Sequence, residues 1–387
     1  MEKKNKAIKE RLEELLPARD ELKFVNTKRI DRTDAQYRFL IGLRSNGKTS
    51  ACLESSLKYC VKSGTQMAII RRWDTDFKGD TSAKTCFNGL ADRGIITEIT
   101  NGVWDGIKYY NGAWYFSRVD ADTEKTVRND IPIAYAFSIN MEEHYKSGSW
   151  PRITRVVFDE VISRKGYLPD EFVSFCNILS TIIRTRDNVV IYMCANTINW
   201  DCLYFKEMGL GNIRDLKEGD LKVWQYGQSK LKVAVQYTDK LSQKGSPSDV
   251  YFAFGNPKLK MITGGDWEIA LYPLLPCSSV HRNDILFTFY VKYEFDTLQG
   301  EVVQKDNNVF IFMHNKTTTL KEKQDDLIFS NEVRPEPNYV YDILRPTMKI
   351  TKKIAALIAA GKIFYQSNTV GEVMNNYITA CRRSRGF

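Results

Sequence analysis

Apolar and polar positions in the first half of the chain alternate between short apolar runs and stretches of helical spacing. Tyr37–Ile41 is a β-rich run, and after it Leu53, Leu57, Cys60 and Val61 recur at helical spacing until Gly64 stops the pattern. Met67–Ile70 is a short apolar strand leading into Arg71-Arg72. Ile107–Tyr110 and Ala113–Phe116 flank Asn111-Gly112, a pair that tolerates the positive φ of a type I′ turn, so the segment reads as a hairpin. Further strands are expected at Ile131–Phe137, Ile153–Phe158 and Val189–Cys194, with a helix over Glu171–Ile183 between the last two. Strand–helix alternation of this kind predicts an α/β sheet.

The pattern changes at about Phe205. Glycines punctuate a polar, lysine-rich stretch, and residues 206–248 read as a linker or a small connecting subdomain. Beyond it, Ile285–Tyr293, a turn near Gln299-Gly300, and Val309–His314 suggest antiparallel strands. Helices follow over Pro346–Ala360, stopped by Gly361, and over Val370–Arg382. The expected organisation is a first domain over 1–205, opened by a helix at Met1–Leu16, then the connecting segment, then a smaller α+β domain over 249–387. No internal repeat or low-complexity tract interrupts this order.

Composition adds bounds rather than identity. At 387 residues, with 43% hydrophobic and 27% charged residues, the chain has the make-up of globular domains with their own cores. The net charge of +9 permits a polyanionic partner such as nucleic acid without requiring one. With no apolar signal core at the start and no run long enough to span a bilayer, a cytoplasmic protein with no membrane partner is expected. Eight cysteines without a C-x-x-C pair and only three histidines suit buried free thiols in a reducing compartment and argue against a structural zinc site.

The chemistry is concentrated at Gly42-Leu43-Arg44-Ser45-Asn46-Gly47-Lys48-Thr49, which reads G-x-x-x-x-G-K-T between a strand and a helix. Its two glycines let the backbone curl until successive N–H groups face an anion. Lys48 would reach the β/γ-phosphates and the Thr49 hydroxyl would hold Mg²⁺, making ATP and Mg²⁺ the expected cofactors. The second element is Ile153–Phe158 followed by Asp159-Glu160. An Asp at that strand end can bind Mg²⁺ directly or through water, and the adjacent Glu160 can orient and deprotonate the attacking water. The pair favours a hydrolysing motor over a small-molecule kinase, which must exclude water. Asn196 follows the Val189–Cys194 strand, where an amide can touch the γ-phosphate or the water. Arg184 and Arg186 end the segment before that strand, and Lys146 lies in the loop before Asp159-Glu160. An arginine fork can serve transition-state charge, although surface charge alone also explains all three.

The assembled pattern resembles the DNA-packaging (encapsidation) ATPases of phi-29-type tailed phages. The matching pieces are Phe39–Thr49, Ile69–Arg72, Val157–Glu160, Pro169-Asp170-Glu171, Ile183–Arg186 and Ala195-Asn196, with Phe287–His314 and Gly361–Phe364 further on. Arg44, inside the glycine loop, is a family-like detail that the general motif does not require. The resemblance implies an ASCE-type P-loop ATPase domain followed by an RNase H-like domain without working nuclease chemistry. It implies a homomeric ring, a pentamer, on the portal of an empty capsid in the host bacterial cytoplasm. That ring would pump double-stranded DNA, and a structural packaging RNA is a further partner the resemblance leaves open. Carried over by position, Lys48 and Thr49 bind phosphate and Mg²⁺, Asp159 supports the metal and Glu160 activates water. Arg184 matches an arginine offered to a neighbouring subunit's ATP, and Lys146 a basic residue at the same interface. Asp74 departs from the pattern, since relatives can carry lysine there.

A pump that accepts any sequence should grip phosphates, and Arg164 and Lys165, just after Asp159-Glu160, are the first candidates. A nuclease is not expected, because two-metal cleavage needs converging carboxylates and Phe287–Tyr293 has none, Asp296 falling after it. The basic positions Lys349, Lys352, Lys353 and Arg382–Arg385 suit DNA, RNA or portal binding, or are surface charge. A helicase-like or partition-type ATPase and a nucleotide-gated DNA-binding scaffold are the competing readings.

Overall fold

The computed structural model describes residues 25–42, 46–79, 81, 83–120, 122–163, 167–197, 200, 202–238, 272–275 and 280–383. The chain divides into two compact units, Met1–Trp267 and Glu268–Phe387.

The first unit is built on one ten-stranded sheet. Its strands are β1 (Tyr37–Gly42), β2 (Gln66–Arg71), β3 (Gly106–Tyr110), β4 (Ala113–Val119), β5 (Thr126–Arg128), β6 (Ala134–Ser138), β7 (Ile153–Phe158), β8 (Val190–Asn196), β9 (Leu221–Gln225) and β10 (Lys232–Tyr237). They run in the order β3-β4-β6-β2-β7-β8-β1-β10-β9, with β5 paired to β4. From β6 to β10 every pairing is parallel. Among the described residues its α-helices are α1 (Lys28–Asp31), α2 (Lys48–Ser63), α3 (Asn88–Asp92), α4 (Ile95–Ile99), α5 (Glu171–Ile183) and α6 (Leu203–Glu207).

Parallel strands covered on both faces need apolar side chains on both, so these strands read as unbroken apolar runs rather than alternations. Successive residues do go to opposite sides. Phe39, Ile41, Ala68, Ile70, Val156 and Phe158 join Phe175, Ile178, Leu179 and Ile182 of α5 in one core. Leu40, Met67, Ile69 and Val157 join Cys52, Leu53, Leu57 and Cys60 of α2 in the other. These strands and both long helices lie within a few residues of their expected positions, and Gly64, at φ +65°, ends α2 as expected.

Two expectations are corrected here. Residues 206–248 do not form a separate linker throughout, because β10 pairs in parallel with β1 and β9 pairs with β10, extending the first sheet. Lys232–Tyr237 is buried along nearly its whole length. Gly209, Gly219 and Gly227, which suggest a linker in sequence, mark tight turns, each at positive φ. The second unit begins at Glu268 rather than at residue 249, within a stretch outside the described residues. The expected helix at Met1–Leu16 also lies outside them.

The second unit holds a six-stranded sheet ordered β15-β14-β11-β12-β13-β16. Here β11 is Ile285–Tyr293, β12 Asp296–Lys305, β13 Asn308–Asn315, β14 Ile328–Ser330, β15 Tyr339–Tyr341 and β16 Ile363–Tyr365. The first three form an antiparallel meander, while β14 is parallel to β11, β15 to β14 and β16 to β13. Two helices follow the expected positions, α7 (Lys349–Ala359) and α8 (Asn368–Arg383). Val370, Val373, Met374, Tyr377 and Cys381 form the buried stripe of α8. Gln299-Gly300 is not a turn. It lies within β12, where Gly300 pairs with Phe289 and the space a Cβ would take is filled by the Phe289 ring, 2.3 Å away. The hairpin bends instead at Glu294, which has φ +53°.

Candidate nucleotide site

The parallel strands β1, β7 and β8 all end at one edge of the first sheet, with β8 between the other two. Their register places Gly42 opposite Asn196 and Phe158 opposite Met193, so the residues that follow each strand meet at the same level. This carboxyl edge of a parallel sheet is where open α/β folds bind ligands. A cleft of about 360 Å³ opens there, lined by Asn46, Lys48, Thr49, Asp159, Glu160 and Asn196 among others.

Two glycines make the entry to α2 possible. Gly47 precedes the helix at φ +85°, a conformation L-residues rarely hold. At Gly42 a Cβ would lie 2.1 Å from Thr238 Oγ1. Leu43, Arg44 and Ser45, the middle of the predicted phosphate loop, lie outside the described residues. The first backbone amides of α2 have no intrahelical acceptors, and with the positive end of the helix dipole they favour an anion.

Lys48 is held over this edge. Its Nζ donates to Gly42 O at 3.1 Å, Asn46 Oδ1 at 3.0 Å and Asn196 Oδ1 at 3.1 Å. Burial lowers its pKa to about 8, opposed by the negative charge that Cys194 and Asp159 can carry nearby. A buried, poorly solvated ammonium at this edge suits phosphate oxygens. Asn196 lines the same cleft, where it is a partner of Lys48.

Thr49 Oγ1 donates to Asp159 Oδ1 at 2.7 Å, so the two predicted metal-supporting groups meet across the cleft. A hydroxyl and a carboxylate are hard oxygen donors, and Mg²⁺ is typically held by one or two carboxylates together with substrate phosphates. These residues fit that ion. Glu160 follows at φ +62°, its side chain 65% exposed where that of Asp159 is 11% exposed. A carboxylate beside the cleft but open to solvent can reach a water that enters with substrate.

Several further residues, for which the sequence suggests no role, hold the site. Ile70 pairs with Phe158, which sets Arg71 level with Asp159, and Arg71 Nη2 lies 2.6 Å from Asp159 Oδ2. Arg72 is buried and forms a two-pronged pair with Glu171, Nε and Nη2 lying 2.8 and 2.9 Å from its carboxylate oxygens. It also donates to the carbonyls of Glu160 and Val161. Glu171 is fully buried and further held by the Tyr204 hydroxyl at 2.8 Å and Leu168 N at 2.8 Å. The backbone turn that carries Glu160 is thus pinned from β2 and α5 together. The signal available in sequence was a strand ending in Arg-Arg, whose meaning depends on which strand lies beside it.

The remaining candidates lie elsewhere. Lys146 is exposed and paired with Glu143, and Arg184 donates to Gly148 O at 2.8 Å, so both belong to one surface region formed by the 146–148 loop and the end of α5. Neither lines the cleft. Arg184 sits at φ +51°, ψ −116°, a sparsely populated region costing on the order of 1–3 kcal/mol. Arg186 is bonded to the carbonyls of Ile153 and Trp150 and acts as a brace. Asp74 pairs with Lys78 and Asn140. Arg164 and Lys165 lie outside the described residues, as does the terminal stretch from Ser384. Among the described residues no helix is long and apolar enough to cross a membrane.

The model of the podovirus DNA encapsidation protein (Gp16) family matches residues 118–214. The DNA packaging protein of Bacillus phage B103 is 26% identical over 175 residues, 44% of this chain and 47% of that protein. The chain spans about half the length of the curated relatives it matches. Among solved structures, the bacteriophage Phi-29 viral genome packaging motor assembly matches with a TM-score of 0.56 at 15% identity, covering 93% of this chain and 99% of that one. The Phi-28 gp11 DNA packaging motor matches with a TM-score of 0.53 at 17% identity, covering 93% and 98%. The chain is therefore similar to the phi29-type phage DNA-packaging proteins, in sequence over part of its length and in fold over nearly all of it.

Proposed function

We propose that the protein is an Mg²⁺-dependent ATPase that drives double-stranded viral DNA into an empty capsid, working as a homomeric ring, a pentamer, at the portal vertex. The observation that carries this reading is the convergence of Lys48, Thr49, Asp159 and Asn196 in one cleft, with Glu160 one residue beyond the metal-supporting carboxylate. The interposition of β8 between β1 and β7 supports an ASCE-type ATPase domain.

In this reading Lys48 and the amides at the start of α2 hold the polyphosphate, and the interaction grows as charge builds on the transferred group. Mg²⁺, held by Thr49 and Asp159, would neutralise phosphate charge. Glu160 takes the proton of the attacking water, and Asn196 links that event to Lys48 through its amide. Arg184 and Lys146, away from their own subunit's cleft, are offered to the neighbour's nucleotide, so turnover depends on ring contacts. Loss of the γ-phosphate contacts would then bias a loop or domain between two positions.

The second unit is read as RNase H-like. Its meander β11-β12-β13, continued by parallel β14 and β15 on the β11 side, supports that topology. No carboxylate lies along β11, and Asp296 opens β12, which supports a binding rather than a cleaving role. DNA, portal and a structural RNA are its candidate partners, with Lys349, Lys352 and Lys353 on α7 as basic contacts.

The test is packaging of DNA into purified empty capsids. Wild type is expected to package with ATP and Mg²⁺. Glu160→Gln is expected to bind ATP while its turnover falls on the order of 10²–10⁴-fold, the usual contribution of a general base. Hydrolysis by Glu160→Gln at the wild-type rate would remove this residue from the mechanism.

A further inference from the structure

We propose that Arg71 is a positioning residue that competes with a divalent cation for Asp159 and, as the cation engages that carboxylate, turns to Glu160. The inference rests on the nucleotide-site reading above and adds a link between metal loading and the orientation of the general base.

Both oxygens of Asp159 are engaged from different elements. Thr49, on α2, donates to Oδ1 at 2.7 Å, and Arg71, at the end of β2, meets Oδ2 at 2.6 Å. The Arg71 and Asp159 side chains are each 11% exposed, so water screens their attraction weakly. A divalent cation on the same carboxylate would face the guanidinium at close range, and like charges in such a setting raise each other's cost. The guanidinium has an alternative. Its Nη1 already lies 3.8 Å from Glu160 Oε2, too long for a hydrogen bond but on the correct side. Its Nε is buried without a hydrogen-bond partner, so the present position leaves one donor unsatisfied. Glu160, with its side chain mostly in solvent, is free to accept a new donor. Arg72, pinning the Glu160 and Val161 carbonyls, keeps the backbone still while the side chains exchange partners.

The experiment titrates Mg²⁺ by calorimetry into the full chain saturated with ATPγS, and follows thermal melting in EDTA and in Mg²⁺·ATPγS. Arg71→Gln removes the competitor, and its Mg²⁺ affinity is expected to rise on the order of tenfold, within the usual range for coupling between two ligands. Arg71→Lys weakens the pair without removing the charge, so its affinity should rise by a smaller factor. The melting deficit of either variant should be largest in EDTA and shrink with Mg²⁺·ATPγS, because the cation then takes over the unpaired carboxylate. Unchanged or weaker Mg²⁺ binding overturns the proposal, as does a melting deficit equal in both conditions, which would mark Arg71 as a structural brace alone. Should Arg71→Gln not fold, Arg71→Lys decides, and an affinity at or below wild type overturns the idea. Failure of the underlying reading looks different: wild type would then bind ATPγS without regard to Mg²⁺, Asp159→Asn would match it, and both proposals would fall.

Discussion

Lys48 is the residue whose chemistry depends most on its surroundings. An exposed lysine stays protonated far above neutral pH, but here burial brings the pKa down to about 8. The unfolded chain therefore binds more protons at this position between about pH 8 and the ordinary lysine value of 10.5. The stability contribution of this group is present above that ordinary value and is lost as pH falls to about 8. Nucleotide binding has the opposite sign, because phosphate wants the ammonium. ATPγS affinity is expected to fall by up to about tenfold per pH unit above pH 8, where binding must take up a proton. Lys48→Arg, which stays charged, should flatten that dependence. Equal slopes for both proteins, measured by titration between pH 7 and 10, would assign the effect to another group. Lys48 and Thr49 were legible in the motif; the role of Asn196 as an acceptor for Lys48 needed the register between β1 and β8.

At the scale of elements, β12 shows how a glycine can mislead. A Gln-Gly pair between two apolar runs is a reasonable turn signal. In the sheet, Gly300 serves instead to admit the Phe289 ring from the neighbouring strand, a close approach only a missing side chain allows. Gly300→Ala should therefore destabilise the protein by about 1–3 kcal/mol, the usual range for overpacking. In a Phe289→Leu background the added cost should shrink, and denaturant unfolding of the four proteins in the cycle measures the coupling. Additive effects would show that the ring and the glycine do not share space. The same scale explains β9 and β10. Their glycine-rich surroundings give a linker-like composition, yet Val233 and Val235 are buried beside β1 because the sheet needs a further strand on that side.

For the whole molecule, the arrangement of groups in one subunit leaves Lys146 and Arg184 away from that subunit's own cleft. If each completes a neighbour's site, a mixture of Arg184→Ala and Glu160→Gln subunits should recover ATPase activity that neither has alone. Such interfaces would each combine one intact arginine with one intact glutamate. Activity that stays absent at every mixing ratio would argue against sharing across the ring. The +9 net charge belongs to this scale too, since it bears on association with polyanions rather than on the fold.

By itself the sequence determined the local grammar: a glycine loop with Lys48 and Thr49, an apolar strand closed by Asp159-Glu160, and helices capped where glycine permits. These follow from dihedral freedom, side-chain chemistry and periodicity within a few neighbouring residues. The tertiary structure decided which strands lie side by side. Only that adjacency brings Arg71 against Asp159, fixes the Glu160 turn through Arg72 and Glu171, and makes β10 part of the first sheet. Backbone pairing between distant segments depends on how whole surfaces pack, and no local window of residues carries that information.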